Sequence, residues 1–165
     1  MRKLIIESTP SRTFTLREAG SQLATLTYDN WFSFSARIQL AGGTAYEVDP
    51  KGFWGTTIEL KREQQVLLDF RMNWNGSIIL KSRLDGNERE FAFKAKGVWQ
   101  SSYLLQDREQ RNWMAVKPDF SWQKFNYSFE IEAEDIYPDR ELNDLMVMMA
   151  VHCANYYITM MSAGS

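Results

Sequence analysis

Apolar and polar residues alternate along most of this chain. In the stretch Ser33-Phe34-Ser35-Ala36-Arg37-Ile38-Gln39-Leu40, one face of an extended strand collects Phe34, Ala36, Ile38 and Leu40, because successive side chains leave a strand on opposite sides. Thr57 to Lys61, Phe91 to Lys96 and Tyr127 to Glu132 repeat the pattern. One wet face and one dry face predict antiparallel strands. Turn residues separate the runs: Glu18-Ala19-Gly20, Gly42-Gly43, Asp49-Pro50-Lys51-Gly52, Asn75-Gly76 and Asp85-Gly86-Asn87. Asn75-Gly76 and Asp85-Gly86 predict hairpins, since both residues of such pairs accept positive φ. Three short hairpins rhyme along the chain: Phe14 to Leu26 through Gly20, Ile58 to Phe70 through Glu63-Gln64, and Tyr103 to Val116 through Asp107 to Gln110. The region from about residue 3 to 132 reads as ten to twelve strands.

The period changes after Tyr137-Pro138. Asp139 is placed to cap a helix, with Glu141 in its electropositive first turn. All 19 Lys and Arg and all 21 Asp and Glu precede residue 145. A helix apolar on nearly every side must be buried, in protein or in lipid. The stretch Leu145 to Met161 spans roughly 26 Å as a helix, near the floor for a membrane span. His152, Asn155 and Thr159 share one face of it, and polar groups in hydrocarbon are costly. No Lys or Arg follows and no Trp marks the ends. The prediction is a helix over about 140–161, wrapped by its own protein, with the polar stripe facing polar groups of the wall. Met146, Met148, Met149, Met160 and Met161 suit an irregular interior.

The two halves of the chain then predict each other. Many antiparallel strands hide their edges by closing, and a barrel of about twelve strands is too wide for its own side chains to fill. The expected fold is mainly β: a closed antiparallel β-barrel of about 12 strands enclosing a hydrophobic C-terminal α-helix, as a single domain over residues 1–165.

This order resembles the tubby C-terminal-like superfamily, which includes tubby proteins, phospholipid scramblases and LURP-one-related proteins. The similarity covers nearly the whole chain: the hairpins Phe14 to Leu26, Ile58 to Phe70 and Tyr103 to Val116, then the closing helix Leu142 to Met161. The resemblance implies a twelve-stranded barrel around a hydrophobic helix. For tubby proteins it implies phosphoinositide binding through surface cations, but no residue motif for that site has a match here. The cysteine-rich stretch and acidic calcium loop of scramblases are missing as well.

Composition narrows the function. The net charge of −2 offers no basic field for nucleic acid. A single Cys153 rules out an internal disulfide and a multi-cysteine metal site. No glycine-rich phosphate loop, metal-spaced His/Cys set or nucleophile elbow occurs, so neither cofactor nor metal is expected. Three apolar residues after Met1-Arg2-Lys3 are too few for a signal-peptide core, which leads us to expect a cytoplasmic protein, peripheral to a membrane if it binds one.

Candidate chemistry remains thin. His152 is the only histidine; it reads as a general base or, preferably, as a hydrogen-bonded core residue. Cys153 reads as a small buried apolar residue. Lys81 with Arg83 and Lys94 with Lys96 each leave one face of a strand. If the strands are neighbours, the four cations form a patch for an anionic head group. Trp31, Trp54, Trp74, Trp99 and Trp122 lie near turns, where they plug the barrel ends or face outward. Trp54, between Gly52 and Gly55, is the candidate for exposure. Glu130, Glu132, Glu134, Asp135 and Asp139 form an acidic run whose alternation fits a wet strand face better than a cation site. The expected function is a non-catalytic binding or scaffold domain, with anionic lipid head groups or a protein as partner. The alternatives are an enzyme using the barrel mouth, with His152 or the Glu130–Asp135 acids as base, and a tail-anchored membrane protein.

Overall fold

The computed structural model describes residues 1–52, 56–97, 102–120 and 127–163. The strands are β1 (Arg2–Ser8), β2 (Thr13–Glu18), β3 (Ser21–Asn30), β4 (Ser35–Leu40), β5 (Ala45–Lys51) and β6 (Thr57–Arg62). They continue as β7 (Gln65–Met72), β8 (Ile78–Ser82), β9 (Arg89–Lys96), β10 (Ser102–Asp107), β11 (Asn112–Phe120) and β12 (Tyr127–Ala133). One helix, α1 (Arg140–Ala163), follows. Every strand pairs antiparallel with its neighbours in sequence, and β12 returns to β1, closing the barrel. The predicted fold class is thus the one observed, and the strands begin and end within a residue of the predicted region.

Alternation decides what faces inward. In β4, Ala36, Ile38 and Leu40 are buried while Arg37 and Gln39 are exposed. Similarly, Phe91 and Phe93 of β9 and Phe129 and Ile131 of β12 point into the core. The lumen is occupied by α1, whose residues from Asn143 to Tyr156 are all buried, polar ones included. The apolar tail is therefore enclosed by protein as far as Tyr156; Tyr157, Ile158 and Thr159 are half-buried, and Met160, expected inside, is exposed where the helix leaves the barrel. Among the described residues no helix is long and apolar enough to cross a membrane.

The connections depart from the expected turn chemistry. Gly76 and Gly86 take φ of 89° and 87°, but Asn75 and Asp85 do not join them at positive φ. Those two side chains bind back to the chain instead. Asn75 Oδ1 accepts from Ser77 N (3.0 Å) and Ser77 Oγ (2.7 Å), and Asp85 Oδ1 accepts from Asn87 N (3.1 Å). An Asx turn followed by one left-handed glycine makes a longer hairpin than the two-residue type expected. Tight two-residue turns occur at Ala19 (φ 49°) and Gly20 (φ 85°) between β2 and β3 and, where no glycine marks it, at Glu63 (φ 52°) and Gln64 (φ 67°) between β6 and β7.

Strand direction alternates, so connections gather at two ends. At the entry end β1 begins and α1 enters, and the helix is latched there. Asp139 Oδ1 caps it by accepting from Glu141 N at 2.9 Å, as predicted. Buried Asn143 Oδ1 accepts from Ile136 N and Tyr137 N, both 2.8 Å, and its Nδ2 donates to Tyr137 O at 2.7 Å. Arg2 Nη2 lies 2.7 Å from Glu18 Oε2 and 2.8 Å from Asp144 Oδ1, while Arg140 Nη2 reaches Glu18 Oε2 at 2.6 Å. Burial raises the Asp144 carboxyl and outweighs the arginine beside it. The hydrogen bond from Arg2 lowers Glu18. The Asp144 contact is close but poorly aligned, leaving Arg2 Nη1 and Asp144 Oδ1 without a directed hydrogen bond.

Two stability outcomes follow from the filled lumen and its latch. Deleting the chain from Leu142 onward removes seven large buried apolar side chains, Leu145, Met146, Val147, Met148, Met149, Val151 and Tyr156, at about 1.5–3 kcal/mol each, against a typical total of about 5–15 kcal/mol. The truncated chain should show no cooperative thermal transition by circular dichroism; a normal transition would refute the filled-barrel account. Separately, Arg2→Met strands a buried carboxylate and should cost about 3–5 kcal/mol in urea unfolding, with Arg2→Met/Asp144→Leu recovering much of it. Additive losses would mean that the two groups do not act as a pair.

Candidate functional site

Inside the barrel, two members of the polar stripe of α1 meet Tyr28. Tyr28, an inward position on β3, places its hydroxyl 2.6 Å from His152 Nδ1 and 3.0 Å from Asn155 Nδ2. The amide donates to the tyrosine oxygen, and which of the tyrosine and Nδ1 donates to the other follows the tautomer of His152. Phe34 and Phe70 close around the ring edge-on, with centroids 6.2 and 5.7 Å away. No part of His152 reaches solvent. Burial lowers its pKa to about 3, against a smaller opposing pull from the Phe34 carbonyl. That carbonyl does not meet hydrogen-bonding geometry, and Nε2 is left without a partner. Phe34 itself sits at φ 61°, a left-handed conformation that is costly for an aromatic residue.

This cluster is a core network rather than a reaction centre. A base at pKa 3 that no substrate atom can approach does not act in catalysis. Cys153 is free and fully buried, with its thiol pushed up by burial, which keeps it protonated and unreactive. Thr159, the third member of the predicted stripe, is only half-buried.

The exterior holds the remaining candidates. β8 and β9 are neighbours, but their register separates the two cation pairs. Lys81 pairs with Glu90, and Lys94 lies four residues farther along β9, about 14 Å away at strand rise. Lys81 stands between Asp69 and Glu90 on the flanking strands. Arg83 reaches Glu88 at 3.2 Å and Asp69 at 4.0 Å. Lys94 and Lys96 instead face Leu104 and Ser102 across β10, and both are exposed. The four cations thus divide into a neutralised pair toward the entry end and an open pair toward the far end. The acidic run is divided as well: Glu134 pairs with Arg111 at 2.9 Å, Asp139 caps α1, and Glu130 and Glu132 lie on the outer wall. Among the described residues no group of three His, Cys, Asp or Glu could hold a metal.

The two ends differ in chemistry. Entry-end connections carry Glu63, Arg83, Asp85, Glu88, Arg108, Glu109 and Arg111. Among the described residues of the far-end connections the one charge is Arg12, whose guanidinium lies 5.2 Å from the Trp31 ring and 5.7 Å from Phe32. Trp31 plugs this end as expected, packing on Tyr28 at 4.7 Å and Phe14 at 6.2 Å. Trp74 and Phe32 do the reverse, 99 % and 82 % exposed. Trp54, Trp99 and Trp122 lie outside the described residues.

Tyr28, Asn143 and Arg2 were not singled out by the sequence. Tyr28 was the findable one: it continues the inward alternation of Leu26 and carries a hydroxyl tip, the kind of wall partner that the stripe requires.

The buried histidine has a pH signature. An unfolded His152 titrates near its ordinary value of about 6.5, whereas the folded one stays neutral to about 3. Between those values the unfolded chain binds the extra proton, so stability is full above about pH 6.5 and falls as pH drops, by about 1.4 kcal/mol per unit. Urea unfolding of wild type and His152→Gln from pH 7 to 4.5 should differ in slope by that amount. Parallel profiles would mean the ring is not held neutral.

No family model matches the chain, and neither a curated protein nor a solved structure matches it.

Proposed function

We propose that the chain is a non-catalytic binding domain of the tubby C-terminal-like kind, and that its far end rests on anionic membrane surfaces. The tubby-like assignment is supported by twelve strands in sequential order closed around a C-terminal helix, the arrangement that the resemblance implies. The observation that carries the membrane reading is the exposure of Trp74 and Phe32 on two connections of one end, while the other end is charged. Aromatic rings in water gain by moving to a bilayer interface, where an apolar body and a polar tip are both accommodated. Lys94, Lys96 and Arg71 are exposed on strands that run to this end, where lipid phosphates would meet them. The occupied lumen leaves the outer surface as the place for a ligand. An enzymatic reading finds no support in the enclosed His152.

The test is sedimentation with phosphatidylcholine vesicles, with and without phosphatidylserine. Binding should require the anionic lipid and weaken at high salt. Lys94→Gln/Lys96→Gln should reduce it by roughly tenfold or more, at about 1 kcal/mol per cation, and Trp74→Ser should reduce it further. Lys81→Gln/Arg83→Gln should leave it unchanged, since acids already neutralise that pair. Equal binding to both vesicle types, or to neither, would refute the lipid reading and turn the far end over to a protein partner.

A further inference from the structure

One hydrogen-bond pattern recurs in the longer hairpin turns of the barrel. In residues 9–13, Thr9 N donates to Thr13 O at 3.0 Å and Arg12 N donates to Thr9 O at 2.9 Å. Residues 40–44, 73–77 and 107–111 repeat the pattern. The fourth residue of each turn stands in the left-handed region: Gly43 (φ 96°), Gly76 (φ 89°), Gln110 (φ 66°) and Arg12 (φ 59°). Glycine suits that place because it has no Cβ to clash. A long charged side chain there is strained, and such strain persists where the surroundings hold it.

What holds Arg12 is aromatic. Its guanidinium lies 5.2 Å from the Trp31 ring centre and 5.7 Å from that of Phe32. The platform is fixed from below. Trp31 stacks on Phe14 with 20° between the ring planes and packs on Tyr28 at 4.7 Å. Asn30 Oδ1 accepts from Phe32 N at 3.0 Å and from Ser33 N at 3.3 Å. A guanidinium seated on ring faces keeps its N–H edges for another partner. Among the described residues no carboxylate takes them. Glu7 of β1 is paired with Arg17 at 3.5 Å, and Asp29 of β3 with Arg37 at 3.1 Å. Hydroxyls stand in the same turn: Thr9 Oγ1 lies 2.7 Å from Ser11 Oγ, which donates to Thr13 Oγ1 at 3.5 Å. Thr9, Ser11 and Arg12 are all exposed.

We propose that Arg12, with the hydroxyls of Thr9 and Ser11, binds a phosphate monoester carried by a lipid, as in phosphatidic acid. The proposal rests on the far-end membrane reading and names the head group which that end selects. A fork of N–H donors beside hydroxyls matches a group with three acceptor oxygens and a charge approaching two. A carboxylate or a phosphodiester offers only two free oxygens. Phe32, 82 % exposed beside the guanidinium, is placed to enter the bilayer next to a small head group. At that depth the charge pair is screened less than in open water.

The test is sedimentation of the full chain with phosphatidylcholine vesicles that carry either phosphatidic acid or phosphatidylserine, matched in surface potential. Phosphatidic acid should be bound about tenfold more tightly, the scale of a charge-assisted bidentate contact. Arg12→Lys keeps the charge but loses the planar fork; it should bring phosphatidic acid down to the phosphatidylserine level. Arg12→Gly gives the turn its favoured residue, so it should lose the same preference while melting no lower than wild type. Glycerol 3-phosphate, followed by amide shifts, should bind the turn about a hundredfold more weakly than the vesicle, because Phe32 then has no bilayer to enter. Equal binding to the two anionic vesicles overturns this site and leaves the membrane reading standing, whereas binding to neither overturns both. A preference that survives Arg12→Lys and Arg12→Gly also overturns the site. Glycerol 3-phosphate bound as tightly as the vesicle overturns the lipid source and makes the ligand a free phosphate ester.

Discussion

The fold depends on one constraint: a twelve-strand wall encloses more space than its own inward side chains fill, and a helix that carries no charge after Asp144 has to be hidden from water. Each solves the other's problem. The strands remove their edges by closing, and the helix supplies the apolar volume that closure demands. Met146, Met148 and Met149, all fully buried, are flexible enough to meet an irregular interior. The result, among the described residues, is a lumen filled by the helix, buried from Asn143 to Tyr156.

Burying a helix completely raises the question of its polar groups. At the entry end the answer is dense: Asp139, Asn143 and the Arg2–Glu18–Arg140–Asp144 group tie the first turn to β1 and β2. Halfway along, one tyrosine answers for two helix side chains. Tyr28 serves both His152 and Asn155 through a single hydroxyl, and the unpartnered Nε2 beside a left-handed Phe34 marks where the fit is least complete. Buried polar groups of this kind specify how the helix is rotated and how deep it sits, because any slip would strand them in an apolar interior. They hold the helix in place.

The surface has a polarity that the interior does not. One end is charged and self-neutralised by short ion pairs, while the described part of the other offers exposed rings and open lysines. Between them the wall carries cross-strand charge pairs such as Lys51–Glu59 and Lys61–Asp49. The exposed rings and open lysines are the departure from a neutral, solvated exterior on which the membrane reading rests.

How far the sequence determined this depends on range. Alternation along Phe34 to Leu40 is local, so the inward face, the strand count and the barrel were legible from it. The absence of charge after Asp144 was equally local, and it required enclosure. Even the cap at Asp139 could be read, since capping involves residues two apart. What tertiary structure alone decided was register and direction. Lys81 and Lys94 sit on adjacent strands, the condition that the patch required, yet antiparallel pairing puts them about 14 Å apart, a distance no single strand encodes. The partner of His152 lies 124 residues away on β3, chosen by which inward position the helix happens to pass. The contrast between the two ends likewise belongs to no stretch of chain: it arises only when twelve strands, each reading plainly by itself, are set side by side.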